Sequence, residues 1–276
     1  MERPLGRPRR PFVDVLREHD TSMLRRISVP VVAVPIWLAL QVFVIVGCGK
    51  GLPSAAFQKD QPSGGDTGQR QPSIVLAGQT AVEIVTHATS MSTPWTAPDG
   101  ENRYLLVSIG GSTAIAASVT WDGVFLTKLV GEIGWPPVQQ WGLANPAAGS
   151  HDLDITFANS AQAVVLGLVF AGVDQAASVI GVHAHGTDMA NKSGAVDVSA
   201  SQTDMVVDVV CTDFSTGTHT PASGQTLDGT SQTSDYSRVS FSHRQGASSM
   251  LWTWPDLPTG GNVGWSIAAT TLKSAP

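Results

Sequence analysis

The stretch His151-Asp152-Leu153-Asp154-Ile155-Thr156-Phe157 decides the fold, because its apolar and polar residues alternate. Leu153, Ile155 and Phe157 would share one face of an extended strand, with both acids on the other face. A few residues further on, Ala163–Phe170 is a continuous apolar run, which is typical of a central strand covered on both faces. This region therefore predicts β-strands.

The same two-residue period recurs nearer the C-terminus. Met205, Val207, Val209 and Cys211 would form one face of a strand, with Asp208 among the residues opposite. Because Cys211 belongs to an apolar face, we expect a buried thiol rather than a reactive one.

Turn chemistry separates these stretches. Asp122-Gly123 predicts a tight hairpin, because both residue types accept the positive φ angles of primed turns. Pro98-Asp99-Gly100 and Asn145-Pro146 are further turn signals, and no stretch after residue 73 keeps a helical apolar stripe over three turns. The sequence predicts a single all-β domain, a β-sandwich or jelly roll, over residues 74–276.

Composition excludes several classes of protein. With 14% charged and 42% hydrophobic residues in 276, the chain is neither a disordered tail nor a multi-span membrane protein. Residues 1–47 carry seven arginines against four acids, whereas residues 48–276 carry nine basic residues against 18 acids. A body with this negative charge argues against nucleic acid as a partner.

The N-terminal region has the layout of a secretory signal, residues 1–47. An arginine-rich segment precedes the apolar run Val29–Val46, which ends in Ile45-Val46-Gly47-Cys48. This ending resembles the lipobox of bacterial lipoproteins. The resemblance implies cleavage after Gly47, lipidation of Cys48 with fatty chains such as palmitate, and export to the cell envelope, in the periplasm or at the cell surface, on a membrane anchor.

Two alternatives for this region stay open. The apolar run could be an uncleaved transmembrane anchor, although its two early prolines disfavour a helix there. Translation could also begin at Met23, because Met23-Leu24-Arg25-Arg26 makes an ordinary signal start. Residues 48–73 are rich in Gly, Pro, Gln and Ser, which predicts a flexible, disordered linker.

Four motifs in the predicted domain carry a second resemblance: Asn102–Val107, Val119–Gly123, Trp141–Gly149 and Phe170–Gln175. Together they are similar to a β-sandwich module of uncharacterised domains in bacterial secreted and phage structural proteins, over residues 75–272. The resemblance implies an extracytoplasmic display or adhesion role. It supplies no catalytic residues. The export signal favours an envelope role over a phage structural role.

The standard catalytic motifs are missing from the sequence. It has no Gly-x-Ser-x-Gly elbow, no Ser-x-x-Lys, no His-Glu-x-x-His and no phosphate-binding glycine loop. We therefore expect a non-catalytic module without a cofactor, whose partners are the membrane, through Cys48, and an envelope glycan or protein.

One local pattern could bind a metal ion. His183 and His185 would point to the same side of a strand, with Asp188 as a third ligand and a further donor from His151 or His243. This pattern keeps a metal-dependent jelly-roll enzyme as an alternative. The competing interpretation is that both histidines simply face solvent, because Ile180, Val182 and Ala184 form the apolar face of the same strand.

Tryptophans supply a second candidate site. Trp135 and Trp254 each precede a proline in a predicted loop, where an exposed indole could stack on a sugar ring. These residues make a carbohydrate-binding module the first alternative function. The competing interpretation is that tryptophan packs in the core.

Overall fold

The alternating and continuous apolar stretches form β-strands, and the computed structural model describes them in residues 73–131, 134–186, 192–213, 217–254 and 264–276. These residues contain no helix. Their strands are β1 Val75–Gln79, β2 Glu83–Ala97, β3 Tyr104–Gly110, β4 Ala116–Trp121, β5 Val124–Phe125, β6 Thr127–Val130, β7 Val138–Ala144, β8 Gly149–Ala171, β9 Ile180–Gly186, β10 Ser193–Asp197, β11 Met205–Thr212, β12 Thr220–Pro221, β13 Thr226–Gln232, β14 Arg238–Gln245, β15 Ser249–Thr253 and β16 Trp265–Leu272.

The largest sheet is built around β8, which is 23 residues long. Its strands run in the order β5-β4-β8-β3-β7-β6, and β1 and β2 also pair with β8. The first part of β8 lies between β2 and β4, where Leu153 is opposite Thr93 and Trp121. Its second part pairs with β3, with Phe170 opposite Tyr104. One strand therefore joins two ladders of the same sheet.

Two smaller antiparallel sheets complete the domain. A five-stranded sheet has the order β13-β14-β11-β16-β9, and a three-stranded sheet has the order β10-β15-β12. The edges of the large and five-stranded sheets approach each other where Gly181 of β9 packs against Val130 of β6, and where Gly229 of β13 packs against Val82. The result is a nearly closed, barrel-like β-sandwich, and the predicted fold class is confirmed.

Three apolar layers hold the sheets together. The first, between the large and five-stranded sheets, includes Leu166, Val207 and Phe241. The second covers the other face of the large sheet, and the third lies between the five-stranded and three-stranded sheets. Residues 163–170 of β8 alternate between the first two layers, and all are buried. The expectation of a strand covered on both faces is therefore confirmed.

The Asp122-Gly123 turn also follows the sequence prediction. It joins β4 to β5, and φ is 51° at Asp122 and 73° at Gly123. In the described ranges, no helix has the length and apolarity that a membrane crossing requires. The predicted signal, Cys48 and linker lie outside the described residues.

The strands define two ends of the sandwich. At the start pole the described chain begins at Ser73 beside Gly172, and Tyr104 of β3 pairs with Phe170. At the far pole β3 ends at Gly110, which packs against Cys211. The seven residues of β3 separate the two poles by about 20 Å.

Candidate functional site

The far pole carries an exposed tryptophan held in place by a buried acid. Trp135 is 51% exposed, and its indole Nε1 donates a hydrogen bond of 2.9 Å to Asp213 Oδ2. Asp213 follows the end of β11 and is only 4% exposed. Its other oxygen, Oδ1, accepts from Ser237 Oγ at 3.4 Å. The indole is therefore fixed at its N–H edge while half of its surface meets solvent.

The backbone before Trp135 determines where the indole sits. Gly134 has φ of 80° and packs so closely on β9 that a Cβ there would lie 2.6 Å from His185 Cβ. A side chain at this position would push the segment away from the five-stranded sheet. Gly134 therefore lets Trp135 reach Asp213.

A second exposed aromatic residue lies on the turn between β13 and β14. Tyr236 is 59% exposed, with φ of 71°. Its backbone N donates to Thr233 O at 3.1 Å, and Thr233 N donates to Ser237 O at 2.9 Å. Ser237, the next residue in the chain, contacts the same Asp213 that holds Trp135. The two aromatic residues thus belong to one end of the sandwich, and sequence reasoning missed Tyr236 because a lone tyrosine in a turn has no recognisable pattern.

Polar side chains belong to, or bind, the turn that carries Tyr236. Asp235 accepts hydrogen bonds from the hydroxyls of Ser112 and Thr233. The hydroxyl of exposed Ser234 donates to Gln162 Oε1, which comes from β8. We call Ser112, Trp135, Asp213, Asp235 and Tyr236 the far-pole cluster. It combines exposed ring surface with hydroxyl and carboxylate groups.

Trp254 lies elsewhere, and its expected exposure is wrong. It is fully buried in the third layer, 5.9 Å from the Trp265 ring. Its backbone N donates to Lys192 O at 2.9 Å, which extends the pairing beyond β15. The neighbouring proline indicated a loop, but the three-stranded sheet turns this indole inward over the five-stranded sheet.

The two candidate metal ligands face solvent, as the competing interpretation held. His183 and His185 are exposed on β9, and their rings are nearly parallel at 6.4 Å between centroids. Within the described ranges no three His, Cys, Asp or Glu side chains could hold a metal ion. His151 and His243 are engaged elsewhere, with Asp122 and Asp228 respectively. Asp188 lies outside the described residues, so its part in a metal site stays a prediction.

A clear shift of histidine pKa occurs at His219, a residue that the sequence analysis did not single out. His219 is 5% exposed, and its ring nitrogens lie 2.8 Å from Thr212 Oγ1 and 2.9 Å from Ser240 Oγ. Burial, assisted by the positive charge of Arg238, lowers the pKa of His219 to about 3. Its two partners are hydroxyls and it is enclosed by Trp252 and Trp254, so this ring stabilises the third layer in neutral form.

A buried carboxyl lies in the same layer. Asp208 is fully buried and accepts hydrogen bonds of 2.6 Å from both Ser242 Oγ and Trp252 Nε1. Burial raises the pKa of Asp208 to about 7, although both hydrogen bonds act in the opposite direction. The sequence placed Asp208 opposite the apolar face of β11, and the three-stranded sheet covers that side as well.

An open depression of about 660 Å³ lies at the start pole. Its charged groups are largely satisfied: Lys273 Nζ lies 2.8 Å from Asp204 Oδ2, and Asp204 also accepts from the backbone of Ser201. These bonds join the C-terminal segment to the loop before β11. The Lys273 and Asp204 side chains that line the depression are therefore engaged in contacts within the fold.

No protein-family model, curated protein or solved structure matches this chain. The resemblances to lipoproteins and to a β-sandwich module of secreted and phage proteins therefore remain sequence-based predictions.

Proposed function

We propose that this protein is an exported, lipid-anchored envelope protein whose β-sandwich is a non-catalytic binding or structural module. The placement is supported by Ile45-Val46-Gly47-Cys48 at the end of an apolar run. The predicted linker would leave the domain free to contact partners outside the membrane.

The observation that best supports a binding module is the far-pole cluster. Exposed aromatic surface at Trp135 and Tyr236 costs hydration free energy unless a partner covers it. By contrast, His219 and Asp208, whose pKa values are strongly shifted, lie sealed within the third layer. Acid–base catalysis requires such groups to reach a substrate, and these two are positioned to pack the sheets.

The decisive experiment is the intact mass of the protein purified from membranes. We expect a chain that begins at Cys48 and carries added acyl mass, and a Cys48→Ala variant that lacks this mass and leaves the membrane fraction. An unmodified N-terminus at Met1 in the cytosol would contradict the export proposal.

A further inference from the structure

We infer that the far-pole cluster binds a β-linked polysaccharide of glucose or N-acetylglucosamine, with Trp135 as the stacking platform. The inference rests on the proposed function, because it names the ligand of the binding module proposed above. Sugars of this type carry equatorial substituents, so their rings present a flat C–H face that an indole can cover.

The first argument is the immobilised indole. A free surface tryptophan would lose rotamer freedom on binding, and that loss weakens association. Trp135 has already lost this freedom, because Asp213 accepts its N–H at 2.9 Å and Asp213 is itself buried to all but 4%. A ring held at one edge in this way is preorganised to offer a face to a planar ligand.

The second argument is the set of groups on the β13–β14 turn, which Ser237 links to the Asp213 that holds the indole. Tyr236 adds a second aromatic surface, 59% exposed, on a turn that its own backbone hydrogen bonds hold in place. Asp235 and Ser112 are already hydrogen-bonded to each other, and each carboxylate oxygen of Asp235 can accept a further bond. Sugar hydroxyls require this mixture of ring surface and acceptors.

The negative charge of the domain and of the cluster limits which glycans can bind. Residues 48–276 carry nine basic residues and 18 acids, and two carboxylates belong to the cluster itself. Asp213 and Asp235 both lie close enough to Cys211 to raise its pKa by their charge, in addition to the larger effect of burial. Polymers of uronic acid or phosphate would be repelled here, whereas uncharged sugars would not.

The same cluster fits a protein partner less well. A stable protein interface buries about 800 Å² on each side around an apolar centre. At the far pole the exposed apolar groups are the separate rings of Trp135 and Tyr236, and partly exposed Asp235 precedes Tyr236 in the chain. Two separate exposed rings beside a partly exposed carboxylate suit a sugar better than they suit the continuous apolar centre of a protein interface.

The far-pole cluster lies away from the end of the sandwich where the described chain begins. The described chain enters at the start pole, beside Gly172, and the far pole lies about 20 Å away along β3. The first described residue and the far-pole cluster therefore lie at opposite ends of the sandwich.

The test uses the protein purified from membranes in detergent, mixed with insoluble chitin, cellulose or, as an acidic control, alginate. We expect retention on chitin or cellulose and none on alginate. Trp135→Ala should weaken the association constant by about tenfold or more, equivalent to about 1.4 kcal/mol. Trp135→Phe should recover part of the loss, because a smaller ring still stacks.

Phe125→Ala provides the matched control, because Phe125 is 71% exposed on the β4–β5 hairpin and outside the cluster. Retention of that variant should equal that of the wild type. Equal retention of wild type and Trp135→Ala would overturn the inference, as would failure of the wild type to bind either chitin or cellulose. The acyl mass at Cys48, measured on the same sample, separates that failure from failure of the export proposal.

Discussion

Asp208 and His219 are ionisable side chains in the same apolar layer, and burial acts on their protonation in opposite ways. The pKa of Asp208 is raised to about 7, so the folded protein favours the protonated carboxyl. The pKa of His219 is lowered to about 3, so the folded protein favours the neutral ring. Between about pH 3 and pH 7 both groups are mainly neutral inside the layer, and each couples folding to pH.

The two couplings have opposite signs. Stability from Asp208 is fully present below its unfolded pKa of about 4 and is lost as pH rises to about 7. Stability from His219 is fully present above its unfolded pKa of about 6.5 and is lost as pH falls toward 3. Between about pH 4 and 6.5 the two groups change the free energy of unfolding with opposite slopes, which largely cancel in the wild type.

An Asp208→Asn variant should therefore show the pH dependence of stability that comes from His219 alone. Without the titrating carboxyl, the free energy of unfolding should fall as pH decreases from about 6.5 to 4, with a slope of up to about 1.4 kcal/mol per pH unit. Urea unfolding followed by fluorescence at several pH values measures this slope. His219→Gln is the reciprocal variant, and its stability should fall as pH rises over the same range. Identical slopes in the two variants would rule out the assignment.

At the scale of the element, Gln140 of β7 joins the large and five-stranded sheets through a buried hydrogen-bond network. Its Nε2 donates to Ser108 Oγ at 3.2 Å and to Val207 O at 3.1 Å, while its Oε1 accepts from Thr270 Oγ1 at 2.6 Å. The network crosses from β3 and β7 to β11 and β16. It requires a polar group in an otherwise apolar layer and helps to specify how the sheets align.

Gln140→Leu should destabilise the domain by about 1–3 kcal/mol, because the hydroxyl of Thr270 would remain buried without its acceptor. Adding Thr270→Val removes that hydroxyl. The double variant should therefore lose less stability than the sum of the two single variants, as measured in a double-mutant cycle by urea unfolding. Strict additivity would show that the network contributes nothing as a unit.

The turn after β3 depends on a glycine for its backbone path. Gly111 has φ of 149°, and a Cβ there would overlap Gln162 O and lie 2.9 Å from Ala163 Cα. Gly111→Ala should cost about 3 kcal/mol, since strain and overlap act together. Gly123→Ala is the matched control: φ is also positive, at 73°, but no atom lies within 4 Å of the new Cβ. Its thermal unfolding should shift much less, and equal shifts would contradict the steric explanation.

At the scale of the whole molecule, Cys211 reports on the integrity of the sandwich. It lies between the large and five-stranded sheets, fully buried, and burial with two nearby acids raises its pKa. In a Cys48→Ala variant it is the sole thiol of the chain. Alkylation by iodoacetamide should be slower than in the unfolded chain by about a thousandfold or more. Rapid labelling of the native protein would show that the sheets separate easily.

The sequence by itself determined the all-β class, the hairpin at Asp122-Gly123 and the doubly buried strand at residues 163–170. These features follow from local chemistry: side chains alternate along a strand, and particular residues accept positive φ. The exposed histidines of β9 also follow from this alternation.

The tertiary structure alone decided which polar and aromatic residues are covered. Trp254 and Trp135 have the same local signal, yet a third sheet buries the first, while Asp213 holds the second at the surface. Asp208 and His219 are distant from Trp252 in the sequence and become its neighbours only when that sheet packs. Burial depends on what the rest of the chain places opposite a strand, and the pattern within one strand does not contain that information.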